Sequence, residues 1–262
     1  MKLVMLGSGG FVPTEQAQTA CYFLPAHDIL LDGGTGLYRI HNYMQQARAL
    51  DVYLSHTHGD HTTGLHYLFG SYFKKLADDA ADRPVDISFI EDHSGQANQL
   101  LNSTRIHVTE EMFANLKDQF PYPLDWHILE PVEALPGGGT LHYFAFDPAR
   151  EEVGFRLEWP GHSLAYITDT IASPQASYID KIAGVDLLLH DCNLTDEKAQ
   201  LCQTINHSST SAVAQVAARA GVKRLCLIHF NPMGWDVADD LPAARKIFPA
   251  TEIGYDGMEI EF

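Results

Sequence analysis

Residues 55–61 read SHTHGDH and place His56, His58, Asp60 and His61 within six positions. Imidazole nitrogens and aspartate oxygens are the donors that hold catalytic divalent metals while leaving a position for water. In extended backbone, side chains two residues apart point the same way, so His56 and His58 can grip one ion. Asp60 and His61 are adjacent, diverge, and suit a second ion close by. Gly59 between the two pairs lets the backbone turn sharply. The ordinary alternative is a surface turn with chance histidines. Its position directly after the apolar run DVYL, a buried strand by pattern, argues against that.

The elements around this turn follow from periodicity. KLVMLG, ACYFL, DILLDGG and DVYLS alternate or run apolar between turn residues and read as strands. GLHYLFGSYFKKLA has helical spacing, and Tyr67, Phe69, Tyr72 and Phe73 on it suit a packed helix face better than a base-stacking platform. VDISFI is expected as a further strand, with Ser94 capping a helix over GQANQLLN. Thr109 heads a helix over EEMFANLKDQF. Beyond the PGGG turn come three strands, TLHYFAF, VGFRLEW and SLAYIT, then a strand at VDLLLH. STSAVAQVAARAG is a helix closed by Gly221, KRLCLIHF a buried strand, and the tail two short strands around Asp256-Gly257. Strands interspersed with helices in each half imply an α/β (α+β) chain, one domain over 1–262, with sheets covered by helices.

Composition narrows the partners. The net charge is −17, from 34 acidic and 17 basic residues among 262, and Lys and Arg cluster no further than pairs. That argues against a broad nucleic-acid surface, although a cationic metal site still attracts a small anion. No apolar run approaches the ~18 residues of a membrane span, and MKLVMLGSGG is too short for a signal peptide. Cys21, Cys192, Cys202 and Cys226 lie far apart with no CxxC spacing. Free thiols in a reducing compartment, the cytoplasm, are the expectation.

The HxHxDH pattern of His56, His58, Asp60 and His61 resembles that of the metallo-β-lactamase superfamily, and the resemblance runs the whole length. MLGSGGFVPT resembles the family's first strand and glycine loop, and ILLDGGTG the strand bearing its early aspartate, Asp32. YITDT resembles the motif of the metal-bridging aspartate, Asp169; LIHF that of the last metal ligand, His229; YDGMEIEF the closing strands. The fold this implies is a four-layer αββα sandwich with metals at one edge between the sheets. Within the superfamily the chain is most similar to ribonuclease Z. LLLHDCN resembles that family's HEAT segment, with Asp191 where Glu is usual, and NHSSTSAVAQVA its GHST segment, which puts His207 at a helix start. The resemblance implies that Asp191 orients His207 and that His207 contacts the scissile phosphate. A carboxylate on one ring nitrogen favours the protonated form, as a general acid or anion stabiliser needs. His190 points opposite Asp191 and reads as structural. Ser208 beside His207, and Trp235 in PMGWD after His229, are candidate substrate contacts.

Two departures qualify the resemblance. The family supplies one more histidine shortly before a GYRI-like strand, and FAFDPAREEVGFRLE has Asp147 there. His142 is an odd number of residues away and faces the other side of a regular strand; His162, in the turn WPGHS, belongs at the far end from the metals. Asp147 is therefore expected as the replacement ligand, tilting preference from zinc toward manganese or iron. Its alternative use is to cap the loop before Pro148. Second, Glu15 to Gln18 carry no positive charge where ribonuclease Z has an Arg-bearing motif, and the stretch from Asp169 to Asp191 is too short for a transfer-RNA-gripping arm.

Together these imply a dinuclear hydrolase with two divalent ions, zinc first, manganese or iron as alternatives. His56, His58 and Asp147 belong to one ion, Asp60, His61 and His229 to the other, and Asp169 bridges them with an attacking hydroxide. Asp60, His207 and Asp191 form the catalytic set. The expected substrate is a small phosphodiester such as a cyclic nucleotide. The alternatives are a ribonuclease Z-type endonuclease on transfer-RNA precursors, and a metal-poor module that binds a phospho-ligand or partner without turnover. Diiron redox members carry an acidic residue where Gly59 stands. A homodimer is expected by family analogy alone.

Overall fold

Leu187, Leu188 and Leu189 are all fully buried, so their strand needs apolar cover on both faces. Leu187 and Leu189 join the core between two sheets, whereas Leu188 joins a second core with Val213, Val216 and Ala217 of a helix outside. That alternation is the twofold side-chain period of a strand. The computed structural model describes residues 1–80, 83–84, 86–120, 122–233 and 236–262.

The first sheet contains β1 (Lys2–Gly7), β2 (Cys21–Leu24), β3 (Ile29–Leu31), β4 (Asp51–Tyr53), β5 (Arg105–Val108) and β6 (Asp125–Ile128). The second contains β7 (Val132–Leu135), β8 (Gly139–Ala145), β9 (Val153–Trp159), β10 (His162–Ile167), β11 (Leu187–Asp191), β12 (Arg224–Ile228) and β13 (Thr251–Ile253). The last strand, β14 (Glu259–Glu261), returns to the first sheet beside β1, so the two strands of the tail serve different sheets. The orders are β14-β1-β2-β3-β4-β5-β6 and β13-β12-β11-β10-β9-β8-β7. Pairing is antiparallel from β14 to β3 and from β7 to β10. It is parallel from β3 to β6 and from β10 to β13. Each sheet thus brings the carboxyl ends of several parallel strands to one edge, where side chains from distant segments can meet.

Helices α1 (Gly59–Thr62), α2 (Leu68–Asp79), α3 (Ile87–Ser103) and α4 (Glu110–Leu116) belong to the first half; α5 (Ala199–Ile205), α6 (Thr210–Ala220) and α7 (Leu241–Ile247) to the second. Leu68, Tyr72, Ala97 and Leu101 of α2 and α3 pack into the first core. Thr109 caps α4 by accepting from Met112 N, and Gly221, at φ 61°, ends α6, both as the sequence suggests.

The expected strand VDISFI is corrected. Asp86 accepts from Phe89 N as an N-cap, and α3 begins at Ile87. Phe89, His93, Ala97 and Leu101, spaced by four, are its buried stripe, so Ser94 lies mid-helix rather than at a cap. A short apolar run fits either period, and the longer stripe decides. The four cysteines are free and buried. No helix among the described residues is long and apolar enough to cross a membrane.

Candidate metal centre

Asp32 follows β3, the SHTHGDH turn follows β4, Asp169 follows β10, Asp191 ends β11 and His229 follows β12. Five carboxyl ends of parallel strands therefore deliver the donors to one place. His61 Nδ1 donates to Asp32 at 2.6 Å, and Asp32 also accepts from Ser55 N and Ser55 Oγ, each at 2.7 Å, and from the Tyr166 hydroxyl. With Nδ1 committed, His61 presents Nε2 as its free lone pair. That atom lies 3.0 Å from His229 Nε2, 3.2 Å from Asp169 Oδ1 and 3.6 Å from Asp60 Oδ2. His229 Nε2 is 3.3 Å from Asp169 Oδ1 and 3.2 Å from Asp60 Oδ2. His56 Nε2 stands 3.6 Å from Asp169 Oδ2, is buried, and has no hydrogen-bond partner. The donors converge.

Electrostatics point the same way. Burial pushes the His56 imidazole down to about 3, leaving a neutral donor. Burial also opposes charge on His229, yet Asp169, Asp191 and Asp60 outweigh it and raise His229 to about 10. His61 is likewise raised well above its ordinary value against burial, by Asp169 and Asp32. Asp169 is held well below the carboxylate range, its burial offset by His229, His61 and His56. Protonating both His61 and His229 would aim two N–H groups at each other across 3.0 Å. A divalent cation answers the same negative field without that clash, and it gives the unpaired His56 Nε2 a partner. The residues fit divalent metal.

At this edge, among the described residues, three sets of donors lie mutually within 4.8 Å: His56, His61 and Asp169; Asp60, His61 and His229; and Asp169, His207 and His229. His61 therefore stands between two clusters. His58 and Asp147 are in none of these sets. His58 is exposed at the N-terminus of α1, its ring centroid 4.5 Å from that of His56. Asp147 is exposed, and its carboxylate accepts from Ala149 N at 2.9 Å, the turn-capping use its Asp-Pro sequence allows. It does line a cavity of about 180 Å³ together with Asp169, Arg150 and Glu152.

Asp191 does more than its motif suggests. Its Oδ2 accepts from Ser208 N at 2.9 Å and lies 3.3 Å from His207 Nδ1, while Oδ1 lies 3.4 Å from His229 Nδ1. One buried carboxylate thus hydrogen-bonds His207 and sits at ion-pair distance from His229. His207 is raised from its ordinary value, Asp191 outweighing burial, and its Nε2 faces Asp169 Oδ2 at 4.0 Å. Ser208, expected as a substrate contact, is 1% exposed. Its hydroxyl donates to Thr170 O at 2.6 Å and accepts from Ala172 N at 2.8 Å, so it fixes the loop after Asp169 instead of meeting a ligand. Trp235 lies outside the described residues. Buried His190 bonds the Tyr178 hydroxyl and the Asp191 carbonyl and stays apart from the donors.

Sequence reasoning missed several supports. Glu151 accepts from Thr57 N and the Thr57 hydroxyl, tying the metal turn to the 147–152 loop. Buried Glu152 faces the small cavity beside Asp169. The doublet Glu151-Glu152, in the very stretch that lacks the expected histidine, was the available signal. Tyr67 is also corrected: it is partly exposed and lines a cleft of about 630 Å³ with Phe11, Pro13, His58 and Asp60, whereas Tyr72 is buried in the core.

A profile of the beta-lactamase superfamily domain matches residues 27–230. The chain belongs to that superfamily. It is 27% identical over 290 residues to the Ribonuclease Z of Saccharolobus solfataricus, covering 95% of each chain. The metallo-beta-lactamase fold protein YhfI from Bacillus subtilis superposes with a TM-score of 0.76 over 99% of both chains at 20% identity. A diphosphatase from the PhnP family gives a TM-score of 0.69 at 19% identity, covering 100% of this chain and 96% of its own. The architecture of this superfamily member is therefore the metallo-β-lactamase fold expected from its motifs, with divalent-metal hydrolase chemistry as its class.

Proposed function

We propose that this β-lactamase-superfamily hydrolase cleaves phosphodiesters at a centre of two divalent ions. His56 and Asp169 would hold one, with His58 and Asp147 or Glu152 as further donors, and Asp60, His61, His229 and Asp169 the other. Bound there, such ions supply Lewis acidity and a water acidified toward neutrality. Zinc suits the imidazole-rich set, with manganese or iron as substitutes. The protein's own contribution is positional and protic. Asp32 fixes the tautomer of His61, and Asp191 that of His207, while its other oxygen lies 3.4 Å from His229 Nδ1. Asp191 favours the protonated form of His207 against burial, and in that form the ring can donate from Nε2 to a phosphoryl or leaving oxygen.

The single observation that carries a phosphorus substrate is the Asp191–His207 pair beside Asp169. The relation to Ribonuclease Z over nearly the full length favours an RNA phosphodiester in the ribonuclease Z manner. One observation keeps the small phosphodiester as a second reading. Among the described residues lining the two cavities beside the donors, Arg150 is the sole Lys or Arg, on a chain of net charge −17. A cytoplasmic setting goes with either and is supported by four buried free thiols.

The deciding experiment incubates the metal-loaded chain with a 3′-extended transfer-RNA precursor, bis(p-nitrophenyl) phosphate and a cyclic nucleotide. Specific cleavage of the precursor supports the RNA reading. Turnover of the small esters with the precursor left intact supports the second. No hydrolysis of any of them, with metal bound, refutes the phosphodiesterase proposal.

A further inference from the structure

A further cluster of donors shares no residue with the proposed catalytic centre. His107 of β5 and His127 of β6 are direct cross-strand partners, and Glu133 comes from β7 of the other sheet. One donor atom from each lies within 4.8 Å of the others. His107 is 2% exposed and stacks on Tyr53 at 4.1 Å between ring centroids. Its Nε2 donates to Asp51 Oδ1 at 2.9 Å, and Asp51 is itself held by Arg105 at 2.8 Å. The ring is thereby fixed in one tautomer, and its Nδ1, a lone pair in that tautomer, is buried without any partner. A buried acceptor left unpaired is costly, and a carboxylate behind a histidine is the usual support of a metal-binding imidazole.

The other two donors complete the arrangement. His127 Nε2 lies 3.3 Å from Glu133 Oε1, which also accepts from Glu130 N at 2.7 Å. Two donors at zinc–ligand distances of about 2.0–2.1 Å in a tetrahedron are separated by ~3.3 Å, so that edge is already the right length. The His127 side chain is 42% exposed, which gives an ion access and leaves a coordination position for water.

We propose that His107, His127 and Glu133 form a second metal site, independent of the catalytic one, that takes a divalent ion of the zinc class. Two imidazoles and one carboxylate favour zinc over magnesium or calcium, which prefer all-oxygen sets. The ion would join β5 and β6 of one sheet to β7 of the other, across the point where the chain passes between them.

The test uses the full chain, stripped with a chelator, dialysed against zinc, and analysed for zinc per chain by mass spectrometry. His127→Ala and Glu133→Gln are compared with the wild type, since both residues are more accessible than His107. Each variant should hold about one zinc fewer per chain, with the metal-free melting temperature unchanged. Equal zinc in wild type and variants would overturn the site and leave a plain His–Glu contact. So would a deficit seen only in variants whose metal-free form melts early.

Discussion

At the scale of single residues, the centre is assembled against local preference. Asp32, Asp169 and His229 all adopt left-handed backbone, at φ 57°, 49° and 64°. Such conformations cost about 1–2 kcal/mol per non-glycine residue and persist only where the surroundings enforce them. Here each residue turns sharply off a strand end to face the others. The same convergence sets what substitutions should do. His207→Ala should lower kcat on a phosphodiester by on the order of 10²–10⁴, with metal content unchanged; a rise in KM alone would make it a substrate anchor. Asp191→Ala should be broader, lowering kcat and also metal affinity, because its Oδ1 supports His229 as well. Metal analysis of that variant separates the two effects. His56→Ala should remove about one ion per chain while leaving the other.

At the scale of elements, close approach matters more than propensity. Gly10 follows β1 and packs under the His229 ring, where an added Cβ would lie 2.4 Å from His229 Cε1. Gly10→Ala should therefore weaken metal binding by displacing that ring, a loss visible by titration even where the variant still folds. The parallel pairing of β10 and β11 has its own anchor at the end remote from the metals. Asp186 accepts from Ser163 N at 2.7 Å and from Lys223, and these partners hold its carboxyl below 3.8. A depressed folded-state pKa contributes stability above the unfolded value, and the contribution is lost as pH falls through the folded one. Asp186→Asn should thus be less stable by about 1 kcal/mol at pH 7, and the gap should close in acid below 3.8, by urea unfolding at each pH. The element misread from sequence, VDISFI, shows the limit of short patterns: its five-residue alternation could not reveal the stripe that continues to Leu101.

At the scale of the molecule, the two sheets are bound together by apolar packing through most of their depth and by ionisable groups at the metal edge. Without cations that edge gathers Asp32, Asp60, Asp169 and Asp191 around four imidazoles. Occupancy should therefore stabilise the whole fold. A divalent ion at a hundred times its Kd contributes about 2.7 kcal/mol per site, about 5–10 °C in Tm for a chain of this size. Melting with zinc and with a chelator checks this; identical curves would mean that the centre does not bind zinc under those conditions.

What the sequence determined by itself was local or motif-borne: the strand and helix periods of most elements, the metal turn at 56–61, and the superfamily resemblance that picked out Asp169, Asp191, His207 and His229. What only the tertiary structure decided concerns relations between segments far apart in the chain. That Asp191 serves two histidines, that Ser208 is spent on a loop, and that Glu151 clamps Thr57 depend on which strand ends lie side by side. The placement of Asp147, exposed and capping its own turn, belongs with these, as does the pairing of His107 with His127 and Glu133. A residue's type and near neighbours fix what it can bond; the packing of the two sheets fixes which partner comes within reach.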